Sequence, residues 1–276
     1  MAGAGGATYL RPVKDPCAPC GLCCRSYLVP IFGHDLWRIA TRRGLPPESF
    51  AFIAEQETPD PLGFRLEADG PTHGLALLKV EPMAPTQPCI FLEETGPSQS
   101  RCGIYDDRPI TCRSYPMAKF GDGVYQRSAT LCPPGSWDEA DVAAAHWRET
   151  LQCLRRHRDI YVEVVARWNA AISRWRPPGM LPPKMFCDYV LAVFGQVAAA
   201  EDSIGPERLA DLTTQWAQVQ PRGGEGPEVT VDRSREPAWI AHFREIRRLI
   251  DGFFPELEPL PFQSLVVEAV NRDPDR

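Results

Sequence analysis

Four cysteines fall within eight residues near the start of the chain, in Cys17-Ala-Pro-Cys20-Gly-Leu-Cys23-Cys24. A C-x₂-C step recurs in metal sites because a tight turn aims two sulfurs at one ion while backbone N–H groups stabilise the thiolates. Cys17/Cys20 and Cys20/Cys23 each have that spacing, whereas the side chains of adjacent Cys23 and Cys24 are expected to diverge. Cys89, Cys102, Cys112 and Cys132 complete a set of eight that suits two tetrahedral four-sulfur sites, or one cluster with spare ligands. On spacing alone the thiols admit a metal site, an iron–sulfur cluster, a redox pair or a disulfide framework.

The later cysteines sit in Cys102-Gly-Ile-Tyr105-Asp-Asp-Arg108-Pro-Ile-Thr-Cys112-Arg113-Ser-Tyr115-Pro116. Four thiolates on a divalent ion leave a net charge near −2, and burying that charge uncompensated is costly. Arg108 and Arg113 are therefore candidates for offsetting thiolate charge from behind the ligands; Arg101 reads equally well as a solvated charge. Tyr105 and Tyr115 read as packing aromatics. Because Cys23 and Cys24 diverge in this reading, a closed four-ligand site needs a sulfur from elsewhere. Cys89, Cys102, Cys112 and Cys132 are thus expected to converge on the first group as one composite site. Cys153 and Cys187 lie among apolar neighbours and read as buried, inert thiols. His34, His73, His146, His157 and His242 have no ligand spacing, although His34-Asp35 comes nearest the first group in sequence. Glu93-Glu94 and Asp106-Asp107 suit solvated turns.

The elements that must position these residues differ between the two halves. Prolines punctuate the first half, so its helices must be short. The pattern predicts helices over His34–Gly44 and over Pro47–Glu55, the latter with proline in its first turn. It also predicts short strands at Leu75–Val80 and Val124–Ser128, and a hairpin turn at Gly121–Gly123. Ser136 and Glu139 have capping-box spacing ahead of a long helical pattern through Leu151, Leu154, Tyr161, Val164, Val165, Trp168 and Ile172. Further helices are expected at Pro183–Glu201, Pro206–Gln218, Pro237–Phe253 and Phe262–Val270, with an exposed loop at Pro221–Glu236. The resulting expectation is a mainly α fold. Its N-terminal half is irregular and cysteine-organised with a few short β-strands, and its C-terminal half is helical. The division runs as a disordered N-terminus (1–14), an eight-cysteine module (15–135) and a helical region (136–276).

Composition excludes several function classes. A net charge of −6 and a pI near 5.5 lack the electropositive footprint of a nucleic-acid binder. The opening residues carry no basic, apolar signal peptide, and Tyr189–Ala200 is too short to cross a bilayer. A cytoplasmic protein with no membrane partner is expected, and reducing cytoplasm disfavours disulfides and favours metal binding. No G-x-G-x-x-G or P-loop is present.

The combined pattern, C-x₂-C-x₂-C-C, then Cys89-Ile-Phe-Leu, then Cys-Gly-Ile-Tyr-x-x-Arg-Pro-x-x-Cys-Arg-x-Tyr-Pro and a last Cys132, resembles the YkgJ-type CxxCxxCC family over roughly residues 15–135. That family is described as zinc- or iron-chelating, with eight cysteines, and all eight positions are filled. The resemblance implies that Cys17, Cys20, Cys23, Cys24, Cys89, Cys102, Cys112 and Cys132 chelate zinc or iron, or hold an iron–sulfur cluster. Two other readings stand beside it. One is an iron–sulfur enzyme, either an oxidoreductase or a methyltransferase resembling the flagellin lysine methylases, which carry a similar cysteine cluster. The other is an interaction module whose metal holds the fold while the helical half binds a partner protein. Against electron transfer, the spacing departs from the C-x₂-C-x₂-C-x₃-C-P run of bacterial ferredoxins.

Overall fold

A computed structural model describes residues 20–58, 60–81, 87–96, 99–120, 123–127, 130–133, 136, 145–218 and 248. The N-terminus, Cys17, Glu139, the turn residues Gly121 and Asp122, the loop after residue 220 and, apart from Arg248, the last two expected helices lie outside the described residues.

The described chain opens with a single helical turn, α1 (Leu22–Ser26), and then α2 (Gly33–Arg43). Gly44 closes α2 in the left-handed conformation, with its N–H on the Ala40 carbonyl, as a C-terminal glycine does. A 3₁₀ turn (Pro47–Ser49) follows, then β1 (Ala51–Glu55), β2 (Phe64–Arg65) and β3 (Thr72–Leu77), which form an antiparallel sheet in the order β1-β3-β2. Val29–Ile31 lies along β3, with Leu77 N–H on the Val29 carbonyl and Ile31 N–H on that of Leu75. Two hairpins complete the first half: β4 (Leu92–Gly96) with β5 (Gln99–Cys102), and β6 (Met117–Phe120) with β7 (Gly123–Gln126). Between them run a 3₁₀ turn (Tyr105–Asp107) and the short α3 (Ile110–Ser114). The second half is α4 (Ala145–Trp175), α5 (Pro183–Ile204) and α6 (Pro206–Gln218).

Two expectations are corrected. The helix expected over Pro47–Glu55 stops after one 3₁₀ turn, and Ala51–Glu55 becomes a strand. Its local sequence suits a helix, but β3 offers a full register of partners, from Ala51↔Leu77 to Glu55↔His73. Non-local pairing outweighs local propensity here. Repeated across three small sheets, the same effect makes the molecule mixed α/β rather than mainly α. Prolines that interrupt helices leave the backbone to find its hydrogen bonds between segments.

One hydrophobic core runs from Leu36, Ile39 and Phe50 in the first half to Tyr161, Trp168 and Phe194 in the second. Phe64 of β2 stacks on Phe186 of α5, with ring centroids 3.6 Å apart, and Trp168 meets Phe186 edge-on at 5.2 Å. Asn169 of α4 completes the free edge of β2: its side chain accepts from Arg65 N–H (2.8 Å) and donates to the Gly63 carbonyl (2.9 Å). The β6–β7 hairpin packs through Met117 and Val124 on Trp147 and Leu151 of α4. Among the described residues no helix is long and apolar enough to cross a membrane.

Candidate metal centre

Cys20, Cys23 and Cys24 flank the start of α1, where Gly21 takes a left-handed φ of 61°. Glycine suits that conformation, and a Cβ there would lie 2.4 Å from Arg25 Nη1, so the guanidinium would have to shift. Arg25 fixes this turn to the β4–β5 hairpin by donating to the Cys20 carbonyl (3.2 Å) and Ser100 Oγ (3.1 Å) and pairing with Glu94. That hairpin carries Cys102 at its end, opposite Leu92. Cys89 arrives just before it, held by its N–H on the Cys24 carbonyl at 3.0 Å and by an isolated bridge to Lys79.

Cys112 comes in on α3, whose start is anchored by Asp35 of α2. The Asp35 side chain is fully buried. It accepts hydrogen bonds from Ile110 N–H (2.9 Å) and Phe32 N–H (3.2 Å), and pairs with Arg38 at 3.1 Å. Arg38 also donates to the Arg108 carbonyl at 2.6 Å, while Arg42 and Arg43 hold buried Asp107 at 3.3 and 2.8 Å. Asp107, expected in a solvated turn, is thus a buried ion-pair partner. Cys132 is placed from another direction: the Tyr115 hydroxyl accepts Leu131 N–H at 2.7 Å, and the Tyr115 ring meets Tyr27, just past α1, edge-on at 5.5 Å.

The outcome is that Cys112 feels the charges of Cys89, Cys102 and Cys23, which come from three other segments. Burial pushes the Cys112 thiol well above its ordinary value, and the charges of Cys89, Cys102 and Cys23 push it further. Burial likewise raises Cys89, with Cys102 and Cys23 adding to the effect against the Phe91 N–H and Lys79. Cys23 is raised first by a side-chain hydrogen bond to Cys24 and then by burial. Cys23 and Cys24 are adjacent on the single turn of α1. No disulfide forms among the nine described cysteines.

The other residues singled out in the sequence have partners of their own. The Arg108 guanidinium lies 3.5 Å over the Tyr105 ring and donates to the Tyr105 carbonyl. The charge of Arg113 is felt by Cys153 and His157, behind α3. Arg101 pairs with Glu93 at the surface. His34 turns from the cysteines into the helical layer, stacking on His157 with ring centroids 3.8 Å apart, and it is Asp35 whose charge reaches Cys112. Cys187 is buried, its thiol pushed up to about 12 chiefly by burial.

Among the described residues, no three His, Cys, Asp or Glu side chains already stand in an arrangement that would hold a metal ion. The donor set nonetheless fits one chemically. Crowded, buried thiols that suppress one another's ionisation are the state a soft cation relieves, by taking the place of their protons. Zinc and iron are the common ions for an all-thiolate set. Sequence reading missed Lys79, a buried cation amid these sulfurs, because its only local signal is a lysine at the end of an apolar strand. No curated protein and no solved structure matches the chain. Residues 16–133 match the family model CxxCxxCC, described as "Putative zinc- or iron-chelating domain".

Proposed function

We propose that the N-terminal module chelates zinc or iron through its clustered thiols, Cys17, Cys20, Cys23, Cys24, Cys89, Cys102, Cys112 and Cys132. The observation that carries this reading is that buried Cys112 feels the charges of Cys89, Cys102 and Cys23, and Cys89 those of Cys102 and Cys23, so that thiols from separate segments bear on one another. Such a set binds a cation by exchanging protons for it, so uptake releases protons and strengthens as pH rises. The role of the protein in a cell would then be to hold, sense or hand on that metal in the cytoplasm. Arg108 and Arg113 belong to the surroundings of the site in this reading, and the helical half supplies the support on which α3 rests.

Elemental analysis after anaerobic purification tests the proposal. Zinc or iron bound in stoichiometric amount is expected, and replacing Cys112 with alanine should lower the content. Zinc thiolate is colourless and an iron–sulfur cluster is brown, so the same sample tells them apart. A folded, metal-free protein that takes up neither ion overturns the reading.

A further inference from the structure

A lysine ammonium is rarely buried unless something offsets its charge. Lys79 is only 7% exposed. Its backbone is fixed against Cys89 by the isolated bridge and by two flanking hydrogen bonds, Ile90 N–H to the Leu78 carbonyl (3.2 Å) and Val80 N–H to the Pro88 carbonyl (3.0 Å). At the far end of the side chain, Nζ donates to the Cys24 carbonyl, which also accepts the Cys89 N–H. The ammonium is thus held where the first cysteine group and the second meet. One neutral carbonyl does not balance a full charge. Burial lowers the proton affinity of Lys79 below the ordinary lysine value, and the thiols of Cys89, Cys24, Cys23 and Cys112 push the other way, each favouring the ammonium once ionised.

From this placement we infer that Lys79 is the built-in counter-charge of the thiolate centre. When the thiols give up their protons to a bound zinc or iron ion, negative charge accumulates in a buried place, and Lys79 offsets one unit of it. The inference rests on the metal-chelating reading and assigns to it a residue outside the cysteine motif. It also accounts for why a lysine interrupts the apolar run Leu75-Ala76-Leu77-Leu78 instead of another aliphatic side chain. An arginine at this position would keep the charge but spread it over a larger planar head.

The test uses the full chain and zinc, with affinity measured by competition against a chromophoric chelator at fixed pH. Cobalt(II) in place of zinc reports thiolate coordination through its absorption bands, and circular dichroism reports the fold. Lys79→Met removes the charge and keeps the apolar stem; Lys79→Gln removes the charge and keeps a donor for the Cys24 carbonyl. Each neutral variant that folds is expected to bind zinc about 10–100-fold more weakly, as loss of an outer partner typically does. Lys79→Arg should recover most of the loss. Wild-type affinity in Lys79→Gln, or in a folded Lys79→Met, overturns this inference alone. A wild-type protein that binds neither zinc nor cobalt overturns it together with the chelating reading, and that outcome is seen before any variant is made.

Discussion

At the scale of single residues, Asp35 carries more of the site than its lack of any metal-ligand spacing suggests. Its buried carboxylate satisfies Phe32 N–H at the start of α2 and Ile110 N–H at the start of α3, and neutralises Arg38. Removing one partner of a buried pair leaves the other charge stranded. Asp35→Ala should therefore destabilise the protein by about 3–5 kcal/mol in urea unfolding. It should also weaken metal uptake, because α3 delivers Cys112. Arg38→Met added to Asp35→Ala should recover part of the stability, since the stranded guanidinium is then gone. Fully additive losses in the double variant would show that the two residues do not act as a pair.

At the scale of elements, α2 lies against α5 through a glycine. A Cβ at Gly33 would fall 1.9 Å from Phe194 Cε2, and Phe194 is itself fully buried against His34 and Tyr161. The ring has no room to retreat, so Gly33→Ala should cost about 1–3 kcal/mol by overpacking, read as a lowered midpoint of thermal or urea unfolding. An unchanged midpoint would mean that α2 and α5 can slide apart freely. The helix over His34–Gly44 was legible in the sequence because its apolar stripe and closing glycine are local signals. The strand at Ala51–Glu55 was not, because its reason for being a strand is β3, which follows only after β2.

For the whole molecule, a polar seam joins the two halves. His34 of α2 stacks on His157 of α4; His34 faces Glu201 of α5 at 3.4 Å, and Arg156 of α4 pairs with Glu201 at 2.8 Å. Cys153 lies 3.3 Å from His157 Nε2, and Arg38 and Arg113 add positive charge from α2 and α3. Burial holds the His157 proton affinity well below the ordinary value near 6.5, and the charges of His34, Arg156, Arg38 and Arg113 push the same way. A base depressed in the folded state takes its proton preferentially when unfolded. Its contribution is therefore complete above about pH 6.5 and is lost as pH falls from there toward the folded-state value. Urea midpoints should drop between neutral and mildly acid pH in the wild type. His157→Gln should flatten that slope in the same interval, with metal content followed in both so that ligand protonation is not mistaken for it. Equal slopes would remove His157 as the cause.

The sequence by itself determined the chemistry on offer. Eight thiols at these spacings, beside the Cys-Gly-Ile-Tyr and Arg-Pro motifs, point to a chelating module because motif, spacing and composition are properties of the chain alone. It also determined α2, α5 and α6, whose periodicity, prolines and closing glycines act over a few residues. Only the tertiary structure decided that Asp35 anchors the helix of Cys112, that Lys79 reaches the Cys24 carbonyl, and that Arg108 turns to Tyr105. Each of these is a contact between distant segments, set by which hydrogen bonds and buried charges can be satisfied once the chain is compact. The small sheets belong to the same class, and for that reason a chain that reads locally as helical and irregular folds as mixed α/β.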